Sequence, residues 1–135
     1  MHADTVRVVL IDLETGIAQR IQSGGHAELD ELRDALSQMT QAGAQPLDVL
    51  AFDACLMAMI EIDTQLHPFV RVRVASEETE PGTGYPYDAI LTHLNQSPDI
   101  DGAALGTIIV ERYYEAYNSE TQSAIDLANT QDDLV

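Results

Sequence analysis

Chemistry in this chain centres on its one cysteine, Cys55, with Asp53 two residues before it. A thiolate is the nucleophilic form of cysteine, although a lone cysteine is more often a small buried apolar residue. Nucleophilic work by a thiol needs a general base, normally histidine. Four histidines are available: His2, His26, His67 and His93. His2 precedes the first strand-like run, and His67 falls at a helix end before Pro68. His93 lies on a short helix. His26, in a glycine-bearing stretch ahead of a helix, is the least unfavourable base. For all four a solvated or capping role is the simpler reading. Asp12 and Glu14 are no substitutes, because a carboxylate is too weak a base for a thiol near neutral pH and its charge opposes the thiolate. Asp99-Ile100-Asp101-Gly102 has the start of a calcium loop without the later ligands, so helix capping explains it better.

The elements that must position Cys55 form a strand–helix–strand unit. Leu47–Phe52 is a nearly continuous apolar run, as expected for a strand buried on both faces. Leu56–Leu66 has a helical apolar pattern that Pro68 stops. Val70, Val72 and Val74 alternate with Arg71 and Arg73 as a second strand. Cys55 is thus predicted at a strand end and a helix start, where ligand sites of open α/β sheets lie and backbone N–H groups would stabilise a thiolate. Asp53 acts in the opposite sense.

Around this unit, Val6–Asp12 reads as a buried strand and Glu28–Thr40 as an amphipathic helix. Glu77–Tyr87 is a Gly/Pro loop long enough to line a site. Tyr87–Leu94 reads as a short helix, Ala103–Tyr117 as a longer one with Asp101 as its N-cap, and Thr121–Leu127 as a last strand. Alternating strands and helices predict an α/β fold with a parallel sheet and right-handed crossovers.

The 135 residues suffice for one domain with a real core, and 45% hydrophobic content is that of a globular chain. Twenty-three acids against six bases give a net charge of −17. That surface repels nucleic acid and anionic membranes. It would attract basic peptides, though a merely solvated acidic surface is the simpler reading. One cysteine allows no internal disulfide. No run has the length of a membrane span and no signal peptide is visible, so the sequence leaves localisation open.

Three segments carry a family resemblance: Phe52-Asp53-Ala54-Cys55-Leu56-Met57-Ala58, then Val74-Ala75-Ser76-Glu77-Glu78-Thr79-Glu80-Pro81-Gly82, then Tyr85-Pro86-Tyr87. The match continues through Ala89-Ile90-Leu91, Ile109-Val110-Glu111 and Ser123-Ala124-Ile125-Asp126-Leu127. In these residues the chain resembles the clostripain-type cysteine peptidases. The resemblance implies a parallel-sheet caspase-like (caspase–hemoglobinase) fold, here truncated at the N-terminus, with residues 1–135 as a single, partial peptidase domain. It implies hydrolysis of peptide bonds after Arg or Lys, with Cys55 at the nucleophile position and substrate contacts at Asp53, Ser76, Glu77 and Thr83. No cofactor is implied, except that some family members use calcium.

The chain departs from the family pattern at the expected base. The family's preceding strand ends in Trp-Asp-His-Gly-(Ser/Gly)-Gly, whereas here Asp12 is followed by Leu13-Glu14-Thr15-Gly16. Leu13 falls on the histidine position. Glu14 falls on a glycine beside the oxyanion hole, where a carboxylate opposes developing negative charge. Thr83 stands where a second pocket acid is common. The expectation is therefore an impaired peptidase; the alternative is a non-catalytic homologue or fragment that binds basic peptides or a protein partner. The family strand matching Val6–Asp12 is internal. Its edge is therefore expected to be open, either to a missing N-terminal part of the domain or to self-association.

Overall fold

The computed structural model describes residues 6–12, 26–119 and 121–128. Four strands form one sheet in the order β1 (Val8–Asp12), β2 (Leu47–Asp53), β3 (Val70–Ser76), β4 (Gln122–Asp126). The first three are parallel, as the alternation of strands and helices predicts. β2, the run of apolar residues, is central and buried on both faces. Its Leu50 and Phe52 enter one core with Leu29, Leu32 and Leu36 of α1 (His26–Met39) and Ile62 and Leu66 of α2 (Ile60–Leu66). Its Val49 and Ala51 enter the other core with Ile90 of α3 (Tyr87–Gln96) and Leu105, Ile109 and Tyr113 of α4 (Gly102–Tyr117). Two helices thus cover each face of the sheet. Each fully buried Leu, Ile or Phe contributes about 1.5–3 kcal/mol.

β4 corrects the all-parallel expectation: it runs antiparallel to β3. The cause is the pair of helices in the last crossover. A single helix would return the chain to the start of the sheet. Here α3 makes that return, and α4 climbs again. Its first residue, Gly102, lies against the Asp48 backbone at the start of β2, while Tyr117 at its end donates to the Gly84 carbonyl at 2.5 Å. The chain re-emerges where β3 finished and must descend. Gly106 lets α4 lie flat on the sheet, since a Cβ there would stand 2.9 Å from Val72 Cγ1 and 3.2 Å from Ala124 Cβ. Asp101 caps α4 by accepting from the Ala104 N–H at 2.8 Å, which gives that aspartate a capping role.

The helix expected over Leu56–Leu66 begins only at Ile60. Residues 54–59 are a turn and an extended segment that hydrogen-bonds along the chain leaving β3: Leu56 N–H to Glu78 O and Ala58 N–H to Ser76 O. The apolar residues at 56–59 mimic a helical stripe, but Met57 is buried in the core with α1 and α2 while Leu56 is exposed.

Arg73, on the polar side of the β3 alternation, is only 4% exposed. It donates twice to Asp63 of α2, from Nε at 2.7 Å and Nη2 at 2.6 Å, and once to Ser123 of β4 at 3.0 Å. This closed pair ties α2 to the sheet.

Candidate active site

The strand ends gather the chemistry. Asp12 and Asp53, the last residues of β1 and β2, are register partners. Cys55 follows on the turn. It is not at a helix N-terminus, because α2 starts five residues later, so the expected helix-derived stabilisation of a thiolate is absent. A backbone donor stands there instead: the Glu80 N–H points at Sγ, 3.1 Å away. Leu56, next to the thiol, holds a left-handed backbone with φ 57°, a conformation that costs a residue with a side chain about 1–2 kcal/mol.

The loop after β3 folds back over Asp53. A pocket of about 180 Å³ opens there, lined by Asp12, Asp53, Glu80, Pro81, Gly82, Thr83 and Gly84. Asp53 is 7% exposed. Its carboxylate accepts from the Tyr85 N–H at 3.0 and 3.1 Å and from the Tyr87 hydroxyl at 2.6 Å. Gly84 makes this possible: its φ is +70°, and a Cβ there would lie 2.6 Å from Asp53 Oδ2. Burial pushes the Glu80 carboxyl up to about 8, aided by its hydrogen bond to Asp53 and the Asp53 charge, while a hydrogen bond from Gln122 pulls the other way. Burial also raises the Tyr87 phenol, with the Asp53 hydrogen bond as the next cause. Tyr85 is raised by burial and then by the charges of Glu80 and Asp53. Its hydroxyl donates to Phe52 O at 2.7 Å and to Gln122 Oε1 at 3.2 Å, fixing the Gln122 amide that reaches Glu80.

Of the residues singled out in the sequence, Asp53 and Thr83 line the pocket and Cys55 stands at its edge through Glu80. Thr83 shares a 2.7 Å hydrogen bond with the Tyr117 hydroxyl. Ser76 is buried, its hydroxyl bonded to Thr121 and to the Glu78 N–H, and it lies outside the pocket lining. Glu77 is exposed, with its N–H held by Thr121 O. Leu13 and Glu14 lie outside the described residues. His67 caps the end of α2 at the opposite end of the sheet, bonded to Thr64 O at 2.8 Å. His93 lines a separate hollow with Asp88, Arg112 and Glu115. Among the described residues no group of three or more His, Cys, Asp or Glu could hold a metal ion, and no helix is long and apolar enough to cross a membrane.

Sequence reasoning did not assign Glu80 and Asp12 to the pocket. The two-residue spacing of Glu78 and Glu80 put alternate acids on one side of an extended loop, but which side faces Asp53 is a matter of how the loop folds back.

Comparison with known proteins agrees with this fold. A model of the Clostripain family matches residues 14–132. No curated protein matches the chain. Among solved structures, a cysteine protease from B. fragilis is 27% identical, with a TM-score of 0.54 over 67% of this chain and 33% of its own. An inactive zymogen C11 protease from Parabacteroides distasonis shares the fold at 24% identity, with a TM-score of 0.59 over 79% of this chain and 27% of its own. So does a clostripain from Bacteroides thetaiotaomicron in complex with a peptide inhibitor, at 20% identity and a TM-score of 0.57, over 74% and 43%. The chain therefore spans under half the length of these solved proteins. With the family profile matching most of its length, and a cysteine-bearing turn beside an acidic pocket at the ends of parallel strands, the chain belongs to the clostripain family of cysteine peptidases.

Proposed function

We propose that this chain is a clostripain-type endopeptidase domain that takes a basic side chain into the Asp53 pocket, and whose turnover is impaired by Leu13 in the histidine position. One observation carries the reading. The Glu80 backbone binds the Cys55 sulfur at 3.1 Å while its side chain lines the acidic pocket, so a peptide with its basic residue in the pocket presents the following bond to the thiol. In that step the S–H bond breaks, Sγ bonds to the carbonyl carbon, the C–N bond breaks and the departing amine takes a proton; water then hydrolyses the thioester, releasing the acid and restoring the thiol. Delivery of that proton is a histidine's work, and leucine cannot do it. Asp53 supplies charge-assisted attraction for a guanidinium or ammonium group.

The test is cleavage of an arginyl amide by the wild type, by Cys55→Ala and by a Leu13→His/Glu14→Gly double variant. The expected result is weak or absent wild-type turnover, none in Cys55→Ala, and a gain of ~10²–10⁴-fold in the double variant, the usual worth of general acid–base help. Clear wild-type turnover that vanishes in Cys55→Ala would overturn the impairment and assign the base to another side chain. Silence in all forms, with an arginyl peptide still bound, would favour a non-catalytic binder. In that binding Asp53→Asn should weaken the complex and Thr83→Asp strengthen it.

The β1 edge bears on partners. Val8 and Leu10 are 37% and 46% exposed and line an apolar groove with Ile90, Leu91 and Leu94. Such an edge favours association with another chain. Leu10→Lys should lower self-association in light scattering, whereas unchanged association would release this edge from that role.

A further inference from the structure

We propose that Glu80 is the second anion of the cation pocket, a carboxyl that keeps its proton until a guanidinium or ammonium group enters and then releases it. The proposal rests on the reading of the Asp53 pocket as a site for a basic side chain and adds how that site acquires its charge.

The geometry is unusual in one respect. The Glu80 and Asp53 carboxyls line the same pocket, and the Asp53 carboxyl beside it helps to raise the Glu80 carboxyl. Two carboxylates are both acceptors, so the pair is at ease only with one proton held between them. Glu80 Oε1 has its own donor in the Gln122 amide. Glu80 Oε2 is buried and finds no donor among the described residues. Asp53 has its donors in Tyr85 N–H and Tyr87 O–H. The oxygen left wanting a donor is therefore on Glu80, in a wall of the pocket. Ionised, it would be a buried anion beside another anion with nothing to bond. A cation in the pocket changes both conditions, since its N–H groups supply the missing donor and its charge offsets the carboxylate pair.

The surroundings favour this exchange. The groups facing Glu80 are Asp53 from β2, Cys55 from the turn after it, whose Sγ accepts from the Glu80 N–H, Tyr85 and Tyr87 from the loop and α3, Tyr113 from α4 and Gln122 from β4, with Asp12 of β1 lining the same pocket. None of them is cationic, and the three phenols are all raised, burial being the first cause in each. They stay neutral across the range in which Glu80, pushed up to about 8, changes charge. Thr83, tied to the Tyr117 hydroxyl, adds no charge from the same loop. The second acid is thus supplied three residues earlier, and it is neutral at rest. Binding couples one proton to one cation: ligand N–H bonds form to the Glu80 carboxylate, the carboxyl O–H breaks, and the proton passes to solvent.

The experiment is calorimetric titration of the full chain with n-butylguanidinium, which has no bond to cleave, with n-butylurea as the neutral analogue. Affinity for the cation should rise about tenfold per pH unit from pH 6 toward 8 and then level. Titrations at pH 7 in two buffers of different ionisation enthalpy should show close to one proton released. Glu80→Gln should bind more weakly at pH 8 and lose the pH dependence. Cation binding that is flat in pH and releases no proton in the wild type would overturn this role of Glu80 and leave the pocket reading standing. Absence of binding at any pH, or equal binding of n-butylurea, would overturn both. The wild-type proton count does not depend on whether the variant folds.

Discussion

Asp53 and Asp63 are 7% and 6% exposed, both buried acids on the same small sheet, yet their surroundings are opposite. Asp63 is closed by a guanidinium from within the chain, with two Arg73 hydrogen bonds at 2.7 and 2.6 Å. Asp53 has neutral donors and a second carboxyl, and among the described residues no cation pairs with it. A buried carboxylate normally demands a counter-charge. Asp63 finds its counter-charge in the fold. Asp53 opens onto a pocket where a ligand can bring one. The first arrangement fastens a helix to a strand; the second leaves binding energy for a cationic partner.

The comparison breaks most readily on stability. Asp63→Ala leaves Arg73 buried and unpaired and should cost about 3–5 kcal/mol in urea unfolding. Asp53→Asn keeps an acceptor for the Tyr85 N–H and relieves the contact with Glu80, so its cost should be about 1 kcal/mol or less. Equal losses in the two variants would make Asp53 as structural as Asp63. A smaller effect concerns pH. Glu80 has a folded value of about 8 against an ordinary 4.5. Between those values the native state holds a proton that the unfolded chain has lost, so Glu80 makes the protein less stable as pH rises from about 4.5 to about 8. Glu80→Gln, permanently neutral, should therefore gain stability relative to wild type over that window, read as a widening difference in Tm. A constant difference would mean that Glu80 ionises normally. The smallest expected effect is local to the Cys55 turn. Leu56→Gly relieves about 1–2 kcal/mol of left-handed strain and adds about 0.5–1 kcal/mol of unfolded-state entropy cost. Unfolding should show a net gain of about 0.5–1 kcal/mol, because Leu56 is largely exposed and loses little packing. A loss instead would show that its side chain packs more than its exposure implies.

Residue type and spacing determined the three parallel strands, the helices that cover them, the Asp101 cap and the placement of Cys55 at a strand end. Those features depend on contacts between neighbours in sequence or on a period of two or 3.6 that any burial must respect. The tertiary structure alone decided the rest. Arg73 alternates like a solvent-facing residue but is buried, because Asp63 arrives from a helix ten residues earlier in the chain. The apolar run at Leu56–Met59 has a helical spacing but lies along the strand-end segment Ser76–Glu78, where backbone pairing outweighs local preference. β4 reverses because two helices rather than one lead to it. Glu80 belongs to the pocket because a loop of two prolines and two glycines folds back until its carboxyl meets Asp53, 27 residues away in sequence. Pairings of that separation leave no periodic trace in a single chain. They arise from where the sheet brings strand ends together, and the charge of a site made this way is a property of the fold.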